Sequence, residues 1–211
     1  MPIITSASTK GGPGKTTLSL CLADHWRRAG YRVELLDIDP NRNLTQWIKA
    51  AGAPIPCTTV DEDDIIEAAT AAEQRADWVV IDVAGALARG LVHAIGIANA
   101  VVIPSRPDLK DALEAARTYQ HVVAEQKMAQ RRDPQARIPA AVVLMQVNRR
   151  AQAAGFAREQ LSALKVPLLS AEIPLRAAYQ NYSFAGLPLD DAAVRGDFAD
   201  LAKAVEGLIH G

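Results

Sequence analysis

Apolar runs of strand length recur along this chain, and stretches with helical periodicity separate them. The strand-like runs are Ile3–Ser8, Arg32–Asp39, Trp78–Val83, Ala100–Pro104, Ala140–Asn148 and Val166–Ile173. Helical patterns fall over Thr16–Ala29, Leu44–Ala51, Asp61–Arg75, Leu87–Ala98, Asp108–Ala129, Ala151–Leu164 and Asp191–Ile209. Runs that stay apolar, instead of alternating with polar residues, suit strands covered on both faces. Strand–helix alternation then predicts an α/β fold: a doubly wound, mainly parallel sheet flanked by helices, with right-handed crossovers. Ligands of such sheets sit beyond the carboxyl ends of the strands. At 211 residues the chain is expected to form one domain, 1–211, with a large buried core.

The first strand-like run leads directly into Lys10-Gly11-Gly12-Pro13-Gly14-Lys15-Thr16-Thr17, and a helical pattern follows. Glycines let backbone N–H groups converge on phosphate oxygens without a Cβ in the way. The helix that follows points its positive end at the same anion. Lys15 can then reach the β- and γ-phosphates, and the Thr16 hydroxyl can hold Mg²⁺. The strict phosphate-loop pattern places glycine five residues before Gly14, where this chain has Thr9. A dinucleotide fingerprint starting at Gly12 would need glycine at position 17, where Thr17 stands. The segment reads as a phosphate loop with an additional lysine, Lys10, at its entrance.

Two further strand ends carry carboxylates. In Leu36-Asp37-Ile38-Asp39-Pro40-Asn41 the two aspartates alternate with apolar residues, so both are expected on one side of the strand. Carboxylates so close repel unless a cation lies nearby, and Mg²⁺ prefers a hard oxygen shell. Trp78-Val79-Val80-Ile81-Asp82 has the form of a Walker B strand, whose terminal carboxylate binds Mg²⁺ through its water shell. Gly85 could bring its N–H towards a γ-phosphate or could simply turn the chain into the next helix. Asn148 closes the Val142–Asn148 run and is either an amide that reads a purine edge or a polar strand terminus.

Composition excludes several classes. Hydrophobic residues make up 49% and charged residues 22%, with a net charge of −1, which shows no bias to disorder and gives no global argument for nucleic acid. Cys21 and Cys57 have no metal-ligand spacing, as expected for thiols of a reducing cytosol. No leader-like N-terminus or long apolar run is seen, so a cytoplasmic protein is expected.

On these motifs the chain resembles the ParA/MinD family of deviant Walker ATPases over essentially its whole length, and most resembles short plasmid-partition members without an N-terminal DNA-binding extension. Lys10–Thr17 fits the family's K-G-G-x-G-K-T-T loop. Asp37-Ile38-Asp39-Pro40-Asn41 fits its D-x-D-P-Q segment, with Asn41 in place of Gln. Pro104-Ser105-Arg106-Pro107-Asp108 resembles the segment after the next strand, and the stretch from Ile173-Pro174 to Leu187-Pro188, with Arg176, Tyr179 and Gly186, resembles the family's tail. Larger members carry Asp-x-Pro-Pro after Walker B, whereas this chain has Asp82-Val83-Ala84-Gly85, a departure that small partition ATPases tolerate.

The resemblance implies roles. Lys10 would be the signature lysine, reaching the ATP of a second subunit. Asp39 would position or activate the attacking water, Asp37 and Asp82 with Thr16 would hold the Mg²⁺ shell, and Lys15 with Gly11, Gly12, Pro13, Gly14, Thr16 and Thr17 would bind phosphates. Asn148 would contact adenine. Slow hydrolysis is implied, with ATP joining a homodimer face to face and hydrolysis releasing it.

Such members bind DNA without sequence preference, answer to a small ParB/ParG-like stimulating partner and associate with the nucleoid. Between Lys127 and Arg158 the chain has seven basic residues and one acid, Asp133. Arg131, Arg132, Arg149, Arg150 and Arg158 are therefore the candidate DNA patch, unless they belong to an ordinary solvated surface. No basic amphipathic C-terminal helix of the membrane-binding kind is evident; Asp191–His210 looks like a docked helix. An ATP-dependent small-molecule synthetase of the biotin or cobalamin type is the alternative. An iron–sulfur reading fails because both cysteines precede Asp82.

Overall fold

The computed structural model describes residues 1–85, 89–182, 184 and 186–210. In chain order the elements are β1 (Ile3–Ser6), α1 (Lys15–Arg28), β2 (Val33–Asp37), α2 (Asn43–Ala51), β3 (Cys57–Thr59), α3 (Ile65–Glu73) and β4 (Trp78–Asp82). They continue with α4 (Arg89–Gly96), β5 (Ala100–Ser105), α5 (Leu109–Gln130), β6 (Ala140–Leu144), α6 (Ala153–Ala163), α7 (Ala177–Tyr182), a 3-10 turn at Pro188–Asp190 and α8 (Ala192–His210). The helix expected from Leu87 begins at positions outside the described residues, and so do two positions of the 173–188 tail, 183 and 185.

The six strands form one parallel sheet in the order β3-β2-β4-β1-β5-β6. Successive residues of each strand feed opposite faces, which is why the runs are apolar throughout. Leu36, Ile81, Val101 and Val142 join one core with α3, α4, α5 and α6. Their neighbours Leu35, Val80, Val102 and Val143 join a second core with α1, α2 and α8. The chain winds outward from β1 through β2 to β3, returns to β4, and then crosses to β5 on the far side of β1. That reversal opens a crevice above the carboxyl ends of β1 and its neighbours.

Two strand expectations need correction. β3 is an additional strand, three half-buried or exposed residues on the sheet border. Val166–Ile173 is no strand; it touches β6 through one isolated bridge, Val142–Leu168, and a second bridge, Val147–Pro174, lies just beyond both segments. Val142 N donates to Pro167 O and Leu169 N to Val142 O, as in a parallel ladder. The next bond comes from Ile173 N to Leu144 O, so Ser170, Ala171 and Glu172 bow away and the ladder is broken.

The candidate arginine patch is also divided. Helix α5 runs away from the carboxyl rim of the sheet for 22 residues, about 33 Å, so Arg131 and Arg132 at its end lie on the opposite rim from Arg149 and Arg150, which follow β6. Arg158, on α6, is ion-paired with Glu172. Proximity in sequence does not survive the passage of β6 from one rim of the sheet to the other.

Candidate nucleotide site

Everything at the carboxyl rim is built around the β1–α1 turn. Gly12 (φ +93°) and Gly14 (φ +106°) adopt left-handed backbone that side chains disfavour, and Gly14 directly precedes the first residue of α1. Lys15 is buried, and its Nζ donates to the Lys10 carbonyl at 3.0 Å, which lays the side chain back across the loop. Burial lowers the pKa of this ammonium, partly countered by the charges of Asp82 and Asp39.

The neighbouring strand ends bring the carboxylates into register. Asp82 lies between Ser6 on β1 and Asp37 on β2. It accepts from Ser19 Oγ at 3.1 Å and also bonds the Thr16 hydroxyl. Burial, and next in weight the nearby Asp37 charge among the raising influences, push its pKa up to about 7 against the pull of the Thr16 bond. A buried carboxyl held near neutrality, with a threonine hydroxyl beside it and a second acid behind it, is a place that favours a cation. Among the described residues no three His, Cys, Asp or Glu side chains converge as a metal cage. This donor set fits Mg²⁺, which takes phosphate and water as most of its shell.

Asp37 and Asp39 part company at the strand end. Asp37 is fully buried; its Oδ2 accepts from Thr45 N (2.9 Å) and Thr45 Oγ1 (2.8 Å), so it anchors the first turn of α2. Asp39 lies beyond β2, half-exposed in the cleft, with Oδ1 accepting both the backbone N–H (2.8 Å) and the side-chain amide (2.9 Å) of Asn41. β2 ends at Asp37, so the strand alternation expected to set both carboxylates on one side does not extend to Asp39; Asp37 bonds Thr45, and Asp39 lines the cleft.

The resulting cleft, about 610 Å³, is lined by the phosphate loop, the Asp39–Asn43 turn, Ala84, Gly85 and Gln146. A Cβ on Gly85 would lie 2.9 Å from Gly11 N and 3.0 Å from the Lys10 carbonyl carbon, so this glycine is required by close approach to the loop. Gly85→Ala is expected to push the Gly11 peptide outward, costing about 1–3 kcal/mol and weakening nucleotide binding. Urea midpoints and nucleotide titration would check both.

A smaller space of about 80 Å³ continues from the cleft between Gly14, Thr17, Met145, Gln146, Leu175, Arg176 and Tyr179. The buried Tyr179 hydroxyl has no hydrogen-bond partner among the described residues. Asn148, expected at the base, is exposed and is not among the residues lining either space; its Oδ1 accepts from Arg150 N at 3.0 Å in a local turn. Gln146 takes the position at the cleft, on left-handed backbone (φ +57°). Nothing in the residue type at 146 announces that backbone.

Lys10 leaves the cleft. Its ammonium pairs with Asp111 on α5, whose side chain is 1% exposed and which also accepts from Arg106 Nε at 2.7 Å. Burial pulls the Asp111 pKa up, and the bonds from Arg106 and Lys10 outweigh it, so the carboxyl stays below its ordinary value. A second cleft of about 590 Å³ at the opposite rim includes Arg27, Arg32 and Arg75, but these pair with Asp24, Asp77 and Glu34.

A parallel doubly wound sheet with this loop above its reversal point defines a P-loop nucleotide-binding domain. The family description "CobQ/CobB/MinD/ParA nucleotide binding domain" matches residues 4–189, and the chain belongs to that family. Protein ParA of Rhizobium radiobacter is 34% identical over 135 residues, 63% of this chain but only 61% of that relative's length. Maintenance of carboxysome distribution protein A of Halothiobacillus neapolitanus is 28% identical over 195 residues, 90% of this chain and 87% of that one.

Among solved structures, the MinD cell division protein of Aquifex aeolicus superposes with a TM-score of 0.76 at 18% identity, covering 98% of both chains. Cobyrinic acid a,c-diamide synthase of Mycobacterium smegmatis, solved with an ATP analog and magnesium, gives 0.78 at 15% identity, covering 96% of this chain and 93% of that one. These structural likenesses establish the fold. Among the described residues no helix is long and apolar enough to cross a membrane.

Proposed function

We propose that this chain is a Mg²⁺-dependent ATPase of ParA type that pairs face to face with a second copy across bound ATP and separates on hydrolysis. One observation carries the reading: among the described residues lining the cleft, Lys15 is the sole cation. A triphosphate brings more negative charge than one ammonium balances. The loop's other lysine is turned away onto Asp111. A facing copy would bring its own Lys10 to the phosphates, as an arginine finger supplied in trans does.

Mg-ATP supplies the transferable phosphoryl group when bound. Lys15 and the N–H groups of Gly11 to Thr17 would hold phosphate oxygens, with Thr16 and Asp82 holding the metal shell and Asp37 supporting it from behind. Asp39 has Oδ1 occupied by Asn41, which leaves Oδ2 to orient a water and take its proton as it attacks. Hydrolysis would be slow, making the nucleotide a timer.

In the ATP-joined form the pair would bind nucleoid DNA without sequence preference, through Arg149 and Arg150 on one rim or Arg131 and Arg132 on the other. A small ParB/ParG-like protein would stimulate release, and the cycle would partition DNA or position a cargo. Similarity to ParA and to a carboxysome distribution protein supports this class of role.

Size-exclusion chromatography with light scattering, with and without a slowly hydrolysed ATP analogue and a nonspecific duplex, tests the reading. The expected result is a dimer with analogue only, retained on duplex at low salt and released as salt rises. A monomer under all conditions, or a Lys10→Ala variant that hydrolyses ATP normally, would sink it. ATP turnover that depends wholly on an added carboxylic acid would point to the synthetase class instead.

A further inference from the structure

The loop's departure from the strict pattern at Thr9 has a structural counterpart on α5. Thr9 N donates to Thr118 Oγ1 at 3.2 Å and Thr9 Oγ1 to Glu114 Oε1 at 2.5 Å, while the next residue, Lys10, pairs with Asp111. Asp111, Glu114 and Thr118 follow one another at spacings of three and four, so a single stripe of α5 grips the entrance of the phosphate loop. Lys10 is held at both ends, its ammonium by Asp111 and its carbonyl by Lys15.

Arg106 makes this grip reversible. It donates Nε to Asp111 Oδ2 at 2.7 Å, and its Nη2 already leans towards Oδ1, the oxygen Lys10 occupies, at 3.5 Å. Stripping a buried carboxylate of every partner is strongly unfavourable. Here a planar guanidinium stands ready to become bidentate as the ammonium departs, so Lys10 can leave without orphaning Asp111. Asp108 separately caps the helix through Asp111 N at 2.9 Å, which fixes the carboxylate's base.

We infer that Asp111 is a positioning residue that parks Lys10 on its own chain, and that Arg106 competes with Lys10 for this carboxylate, so the pair sets the threshold at which Lys10 becomes available to a second copy. The inference rests on the dimer reading above for its consequence, but the parking itself is a property of the nucleotide-free monomer.

The test uses two variants with opposite expected signs. In nucleotide-free protein, brief acylation with an amine-reactive ester followed by peptide mass spectrometry measures the reactivity of Lys10 against the other lysines. Asp111→Asn is expected to raise Lys10 labelling about three- to tenfold, and Arg106→Gln to lower it. In the light-scattering titration, Asp111→Asn should reduce the analogue concentration giving half dimer by a similar factor, and Arg106→Gln should increase it.

A general loosening of the fold would move both variants the same way, and that result overturns the proposal. Unchanged Lys10 labelling in Asp111→Asn overturns it as well. If labelling shifts as expected while the parent protein never dimerises, the parking stands and the dimer reading fails.

Discussion

Asp39→Ala is expected to bind Mg-ATP as tightly as the parent protein and to hydrolyse it roughly 10²–10⁴ times more slowly, the usual contribution of a positioned general base. The separation of the two effects follows from geometry. The Asp39 side chain makes its hydrogen bonds to Asn41, in its own turn, and none to the phosphate loop among the described residues, so removing it leaves Gly12, Gly14 and Lys15 in place. Asn41 loses an acceptor on a half-exposed turn, a small structural change. Single-turnover hydrolysis and equilibrium nucleotide binding, measured on the same sample, check the split. A parallel loss of affinity would show that Asp39 shapes the cleft instead of acting on water. In the dimer reading, this variant should also accumulate the ATP-joined form.

Asp82→Asn should show the opposite pattern, a more stable protein that binds Mg-nucleotide poorly. Burial holds the folded-state pKa of Asp82 at about 7, well above the ordinary value of 3.8. The folded chain therefore binds this proton more tightly than the unfolded chain does. For this group stability is greatest in acid, declines as pH rises from about 4 to about 7, and is level above that. Asparagine removes the buried charge, so its advantage should be absent near pH 4 and reach roughly 2–4 kcal/mol at pH 8. The Thr16 and Ser19 hydroxyls can still pair with the amide. Mg²⁺-dependent nucleotide affinity should meanwhile fall roughly 10–100-fold. Denaturant unfolding at several pH values, without nucleotide, would reveal the sign; a destabilised variant at pH 8 would mean that Asp82 is better solvated than its burial implies.

What could be read from residues alone follows from how locally each feature is determined. The runs around Val79–Ile81 and Val101–Ile103 serve two cores at once, and no surface strand would tolerate that, so their class was legible. The loop was legible because glycine is the residue that left-handed backbone selects. β3 escaped because Cys57–Thr59 is short and only half covered, with no apolar signature. Val166–Ile173 has the right composition, yet whether a ladder forms depends on the path of residues 170–172, which composition does not encode. The alternation of Asp37 and Asp39 suggests a strand through both, whereas β2 ends at Asp37, and nothing in the residue types marks that end. Gln146 reaches the cleft lining through a single left-handed residue that redirects the chain, which its residue type does not announce. The arginines illustrate the limit most simply, since β6 runs between Arg132 and Arg149 and leaves the two pairs at opposite rims of the sheet.

The broken ladder beside β6 has a consequence for how copies of this chain can meet. A continuous strand there would have offered a row of free amides and carbonyls, inviting lateral growth into fibres. The bowed stretch at 170–172 spoils that template on one flank, and on the other β3 is three residues long with Pro54 and Pro56 just before it. Self-association by sheet extension is thus disfavoured on both borders.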